Sequence, residues 1–383
     1  MSSSIITVVY SAIFGIALFA IVQIAAMDNK RSDQSRSLIL VFVLLVVHAL
    51  GQLVISTRVF EWMPHLAGAE LPFMTLLGPA LYFYVRAMMS RTPTNTSSRD
   101  FWALSGPILI LLIMLPFSQV SGPDKLALAD PATRDPDLFS LAVTTRAVSI
   151  FVFSVFTAIY LFATLRLQFT HKTTVKQLYS NIEKRSLDWL RLLCVAWVLG
   201  WMVFVVADAL WLAGVSPVGA GAMSAIFEAI TFSVFAHLAL NQPPLYDTTD
   251  EIVASPTDRQ PILAEDRMVR IVEKLEAAMV RQHLYRDSDL SLRRLSDETT
   301  IKENYISETF SQHLRTNFYD FVNGYRIGEA KSLLERTDKT ILDIAFEVGF
   351  NSRSTFNSAF KKLAGMPPSV FRSRLSGPAS SGL

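Results

Sequence analysis

Seven apolar stretches fill the first 240 of the 383 residues, and each is long enough to cross a hydrocarbon core of about 30 Å, which takes roughly 20 residues of helix. They run from Ile5 to Ala26, Leu38 to Ser56, Leu71 to Met89, Phe101 to Val120, Leu138 to Leu165, Trp189 to Val215 and Pro217 to Leu240. Composition agrees: 51% hydrophobic and 18% charged residues, with a mean hydropathy of +0.35, is too apolar for a soluble two-domain chain. The third stretch is the least regular, because Pro72 and the Gly78 and Pro79 pair interrupt it. The uncharged MSSS start and the long first run predict a membrane span there rather than a cleaved signal.

Basic residues in the loops set an orientation. Loops after spans one, three and five carry 12 of them: Lys30, Arg31, Arg36, Arg86, Arg91, Arg99, Arg166, Lys172, Lys176, Lys184, Arg185 and Arg191. The opposite loops carry 3, Arg58, Lys125 and Arg134. The positive-inside rule then places the N-terminus outside, and an odd number of spans places the C-terminal third in the cytoplasm.

That C-terminal third has a different pattern. Between Thr340 and Arg372, Ile341, Ile344, Ala345 and Val348 recur at helical spacing, with Thr340 and Asp343 as N-cap and first-turn carboxylate. Gly349 falls where a tight turn between helices needs positive φ, and Asn351 or Ser352 caps a second helix running to about Ala364. Phe356 and Phe360 face inward in it, leaving Arg353, Ser354, Asn357 and Ser358 outward with the reach for base edges, and Lys361 and Lys362 suited to phosphates. Gly365 closes the helix, and Pro367 with Pro368 prevents its continuation.

The pattern I-x-x-I-A-x-x-V-G-F, then F-x-x-x-F-K-K-x-x-G and a trailing Pro, from Ile341 to Pro368, closely resembles the arabinose-regulator (AraC/XylS) family of bacterial transcription factors. The resemblance continues upstream: Asp289 to Leu295 is similar to the first helix of a first helix-turn-helix unit, Tyr305 to Phe310 falls in its recognition helix, and Tyr325 to Leu334 matches the linking helix. It implies two units on one long helix, binding promoter DNA with recognition helices about one helical turn, ~34 Å, apart. By the same resemblance the base-facing positions of the first unit are Asn304, Ser307 and Glu308. This unit departs from the family: Thr300 stands at the usual turn Gly and Lys302 at the usual cap, so that Thr300 with Glu303 is expected to form a capping box two residues early. A carboxylate at position 308 accepts from a cytosine amino group but repels phosphates.

Charge is a mild second signal. From Arg267 to the end there are 18 Lys and Arg against 14 Asp and Glu, and from Asp338 onward 6 against 3, so the second unit holds most of the excess. Arg281, Arg286, Arg293 and Arg294 read as a solvated helix face. Residues 241–263 contain Pro243, Pro244, Pro256 and Pro261 and read as a linker, after which Met268, Ile271, Leu275 and Met279 mark an amphipathic helix expected to pack on the first unit, with a dimer seam as the lesser reading. Residues 376–383 read as a disordered tail.

Catalysis finds no motif. The one cysteine, Cys194, lies in a span, the six histidines show no metal-ligand spacing, and no phosphate-cradling Gly loop is present, so neither cofactor nor metal nor enzymatic output is expected. Ionisable residues within spans are functional candidates by default: His48 in span two, Arg146 in span five, Asp208 in span six and Glu228 in span seven. Two roles stay open for them, an ion pair of Arg146 with Asp208 or Glu228 that only holds the bundle, and a site that senses a ligand or a proton.

The sequence thus predicts an all-α chain: a seven-helix transmembrane bundle over 1–240, the linker, and a soluble double helix-turn-helix domain over 264–375. The expected function is a one-component regulator in the bacterial cytoplasmic membrane, which binds double-stranded promoter DNA under control of a small-molecule or envelope signal. A homodimer is possible, and RNA polymerase is the further partner of an activator. The competing reading is a transporter or membrane enzyme with an autoregulatory DNA-binding tail, which the missing inverted repeat and broken helix pairs weaken.

Overall fold

The computed structural model describes residues 2–26, 32–90, 97–128, 130–182, 185, 187–212, 219–242, 245 and 263–375. Among these the chain is all-α, with no strand beyond an isolated antiparallel bridge between Tyr179 and Ser291. It divides into two compact units, Met1–Gln168 with Leu187–Pro244, and Phe169–Ser186 with Leu245–Leu383. A stretch that lies between apolar runs five and six in sequence therefore belongs to the second unit. Most of the expected linker and the whole tail fall outside the described residues.

The first unit holds α1 (Ser2–Ala26), α2 (Ser32–Ser56), α3 (Leu71–Met74), α4 (Leu77–Met89), α5 (Ser105–Ser118), α6 (Gly122–Ala127), most of α7 (Pro136–Leu178), α8 (Asp188–Leu212) and α9 (Ala220–Leu240). α1 packs on α2 and α9, α2 on α4, and α8 on α9. Tyr10, Ile13, Ala17, Ala20 and Ile24 of α1 are buried at spacings of three and four, while Val8, Phe19 and Val22 on its other faces are exposed. Large apolar groups such as Phe162, Leu192 and Met223 are 70–72% exposed, and helices apolar on both inner and outer faces are stable in lipid rather than in water. Seven segments among the described residues are long and apolar enough to cross a membrane.

Three spans differ from the sequence expectation in shape. The third is broken into a short 3-10 turn (Pro64–Leu66), α3 and α4, with Pro72, Gly78 and Pro79 at the starts of the helical pieces. The fourth begins as a 3-10 turn (Ser98–Leu104) capped by Ser97 and Asp100, and the Asp100 carboxylate accepts from Nη1 and Nη2 of Arg86 at 2.7 and 2.8 Å. The fifth does not stop at Leu165. α7 continues to Leu178 because no Gly or Pro interrupts it and because His171, Val175 and Leu178 prolong a buried face with helical spacing.

The second unit contains α10 (Glu265–Gln282), α11 (Leu292–Thr299), α12 (Glu303–Glu308), α13 (Phe318–Arg336), α14 (Ile341–Glu347), α15 (Arg353–Ala364) and α16 (Pro368–Leu375). α10 buries Met268, Ile271, Leu275, Ala278 and Met279 and packs on α11 and on the π-helical turn Thr309–His313. It thus lies against the first helix-turn-helix unit. The 19-residue α13 gives Ile327, Ala330 and Leu334 to a core completed by Ile344, Ala345 and Val348 from α14 and its turn, Phe350, and Phe356, Ala359 and Phe360 of α15. Each fully buried phenylalanine there contributes about 1.5–3 kcal/mol.

Candidate nucleic-acid interface and buried polar cluster

The second helix pair is built by its caps. Thr340 accepts from the Asp343 amide at 3.1 Å and starts α14, and Ser352 accepts from the Thr355 amide at 3.2 Å and starts α15. Between them Gly349 has φ +97°, and a Cβ there would lie 2.6 Å from the Tyr285 carbonyl oxygen. Gly365, φ +76°, ends α15 and donates its amide to Lys361. With Phe356, Ala359 and Phe360 buried, α15 turns two adjacent ridges outward: Arg353, Asn357 and Lys361 on one, Ser354, Ser358 and Lys362 on the other. All six are exposed except Asn357, which is half-buried. Lys362 is tied to Asp320 at 2.7 Å, so a phosphate has to compete with a carboxylate for it.

At the centre of the same unit lies Arg326, fully buried. Its five guanidinium hydrogens have five acceptors: Nε donates to the Tyr285 carbonyl at 2.7 Å, Nη1 to the Ser180 carbonyl at 3.1 Å and to Asn323 Oδ1 at 3.3 Å, and Nη2 to Ser180 Oγ at 3.0 Å and the Asp287 carbonyl at 2.8 Å. Burial lowers its pKa to about 10, which still leaves it charged at neutral pH. The Phe350 ring lies 5.4 Å from its guanidinium carbon.

The first unit holds a separate polar cluster in its apolar interior. Tyr10 Oη donates to Glu228 Oε2 at 3.0 Å, and His48 Nε2 meets the same oxygen at 3.0 Å. The Tyr10 and His48 rings stand edge to face at 5.6 Å. His48 Nδ1 is buried without a hydrogen-bond partner, as is Glu70 Oε2. Glu70 is 7% exposed, and its carboxyl occupies the space that a Cβ on Gly51, one turn from His48, would take. Of the four expected sensor residues, His48 and Glu228 meet. Arg146 is exposed on α7, and the side chain of Asp208 lies outside the described residues. Tyr10 and Glu70 were missed: Tyr10 reads as one more large residue in an apolar run, and Glu70 as a loop residue just before a span.

Residues 295–374 match a family described as a helix-turn-helix domain. An uncharacterised HTH-type transcriptional regulator of Staphylococcus aureus (strain COL) is 34% identical over 113 residues, 30% of this chain and 14% of that protein. The melibiose operon regulatory protein of Escherichia coli (strain K12) is 34% identical over 86 residues, 22% of this chain and 28% of that protein. No solved structure matches the chain. The C-terminal domain is an AraC-type helix-turn-helix domain. The chain spans under a third of the length of either relative.

Within this AraC-type domain the first unit corrects the sequence reading. Asn304 is exposed, but Ser307 and Glu308 are buried, at 6% and 8% exposure, and do not face outward. The reason is a long-range contact: Glu308 accepts from the backbone amide of Leu263 at 3.0 Å, which draws it under the chain entering α10. The expected capping box is absent as well. Thr300 is the left-handed C-cap of α11, φ 59°, and bonds the Thr299 carbonyl, while Lys302 precedes α12 without a side-chain cap.

Gly349→Ala should destabilise the domain by at least the ~1–3 kcal/mol of a residue forced into unfavourable backbone geometry, with further loss from the contact with Tyr285. Thermal unfolding of the purified protein measures it. A melting temperature equal to wild type would mean that the Gly349 turn does not pack on Tyr285.

Proposed function

We propose that the chain is a membrane-embedded one-component transcription regulator. Its AraC-type domain binds promoter DNA mainly through α15, and a polar cluster in the membrane unit sets its state. The observation that carries this reading is the exposed double ridge of α15, with Arg353 and Lys361 on it, in a chain whose earlier part holds seven helices fit to span a membrane. The loop charges support a cytoplasmic domain, and the relatives' names, transcriptional and operon regulators, support an output by gene control rather than catalysis. The test is genome-wide mapping of DNA occupied by the intact protein. Discrete promoter-proximal sites are expected, and occupancy no different from that of an Arg353→Ala protein would overturn the reading.

Because Ser307 and Glu308 are buried, α15 should dominate affinity. Arg353→Ala should cost ~1–3 kcal/mol and relax specificity at one base position, and Lys361→Ala should weaken all sequences alike and reduce the salt slope by about 1. Lys362→Ala should do less than Lys361→Ala, since the Asp320 ion pair breaks before Lys362 reaches a phosphate. Binding titrations at several salt concentrations read all three. Losses from Asn304→Ala with none from Arg353→Ala would reverse the division between the units.

In the membrane unit, a lone charge at mid-bilayer costs at least ~2.5–3.5 kcal/mol on insertion scales, and Glu228 offsets this with two donors on one oxygen. Glu228→Gln keeps the shape and removes the charge that holds Tyr10 and His48 in place. It should shift expression of a reporter behind a mapped promoter severalfold, with protein level in the membrane unchanged. Unaltered expression from Glu228→Gln and His48→Gln alike would sink the role of this cluster as input.

A further inference from the structure

The segment that follows span five is built into the DNA-binding domain. Ser180 is buried, and its amide and its Oγ both reach the Leu290 carbonyl, at 3.1 and 2.7 Å, just before α11. Its neighbour Tyr179, also buried, forms the antiparallel bridge with Ser291, the N-cap of α11. Two of the five hydrogen bonds of Arg326 end on Ser180, one on its carbonyl and one on its hydroxyl. The other three hold the Tyr285 and Asp287 carbonyls and Asn323. Tyr285 in turn is the backbone on which the Gly349 turn between α14 and α15 closes. Ser180 therefore completes the coordination of the buried cation, Arg326, that joins the entrance of the first helix-turn-helix unit, the linking helix and the turn of the second.

We propose that Tyr179 and Ser180 are the input contact of the DNA-binding domain: their docking on Leu290, Ser291 and Arg326 fixes the first unit against the second, and its release uncouples them. The inference rests on the DNA-binding reading above for its output, but not for the contact itself. A buried guanidinium deprived of two acceptors at once is costly, so losing Ser180 forces Arg326 and the two carbonyls it holds to rearrange together. Span five runs through α7 directly into this contact in the covalent chain, one residue separating Leu178 from Ser180.

Paired residues of an antiparallel bridge have Cα atoms about 4.5–5.5 Å apart, within the range a disulfide accepts. Full-length protein carrying Tyr179→Cys and Ser291→Cys in a Cys194→Ala background, held in lipid nanodiscs, should therefore form an intrachain disulfide on mild oxidation. Oxidised and reduced halves of that sample are compared with Ser180→Pro, which removes both the amide donor and the hydroxyl. Amide hydrogen exchange across Leu284–Leu295 and the Gly349 turn should be slowest in the oxidised form and at least tenfold faster in Ser180→Pro. Affinity for a mapped promoter duplex should differ at least tenfold between the same two forms, with α15 helical in both. Failure of the disulfide to form in protein that is folded by hydrogen exchange would overturn the proposal, as would equal affinities in the oxidised and Ser180→Pro forms. If wild type binds no duplex while the disulfide forms and the exchange differs, the DNA-binding reading fails and the docked contact stands.

Discussion

One buried charge organises the second unit. A guanidinium removed from water loses several kcal/mol of hydration unless every hydrogen is taken up, and Arg326 meets that demand with acceptors from four places in the sequence: 180, 285, 287 and 323. Three of its five bonds end on backbone carbonyls, which hold the chain rather than a movable side chain. The geometry of the two helix-turn-helix units thus depends on a set of acceptors that is either complete or seriously deficient. Packing against the Phe350, Phe356 and Phe360 core adds stability, but apolar contacts degrade gradually, whereas an unsatisfied buried donor does not.

The other governing constraint is the solvent around the first unit. In a bilayer, helices whose outward faces carry Phe162, Leu192 and Met223 would gain little from association by hydrophobicity alone, and small residues and interhelical hydrogen bonds would matter more. Glycines at 51, 106 and 200 lie where a Cβ would strike Glu70, Phe156 and Phe227, and the bonds converging on Glu228 join α1, α2 and α9. A polar junction of this kind, with two hydrogen-bond partners on one carboxylate oxygen, is costly to open.

How far the sequence foretold this depends on the range of the interaction concerned. The seven spans, the inward Phe356 and Phe360 and the turn at Gly349 are local: hydropathy, i to i+4 spacing and positive φ each show within about a dozen residues. The burial of Ser307 and Glu308 is not, since it follows from Leu263, which lies 45 positions from Glu308 and reaches its carboxylate. The extension of α7 past Leu165 was hidden because hydropathy reports where an apolar run ends and not where the helix ends. The meeting of His48 with Glu228 spans 180 positions and that of Arg326 with Ser180 spans 146, and no periodicity encodes either.

These long-range pairs share a logic that the local motifs lack. A recognition helix is useful to a regulator only if something other than DNA changes how it is presented. Local caps and a phenylalanine core cannot supply that, since they hold α15 in one form whatever happens elsewhere. A buried polar group with distant partners can, because its free energy depends on whether those partners are present together. Arg326 and Glu228 are both of this type: each gathers donors or acceptors from separate segments onto a single charged group, and each becomes unstable when one segment withdraws. The chain combines rigid local elements with non-local charged junctions, and only the former are written in short sequence patterns.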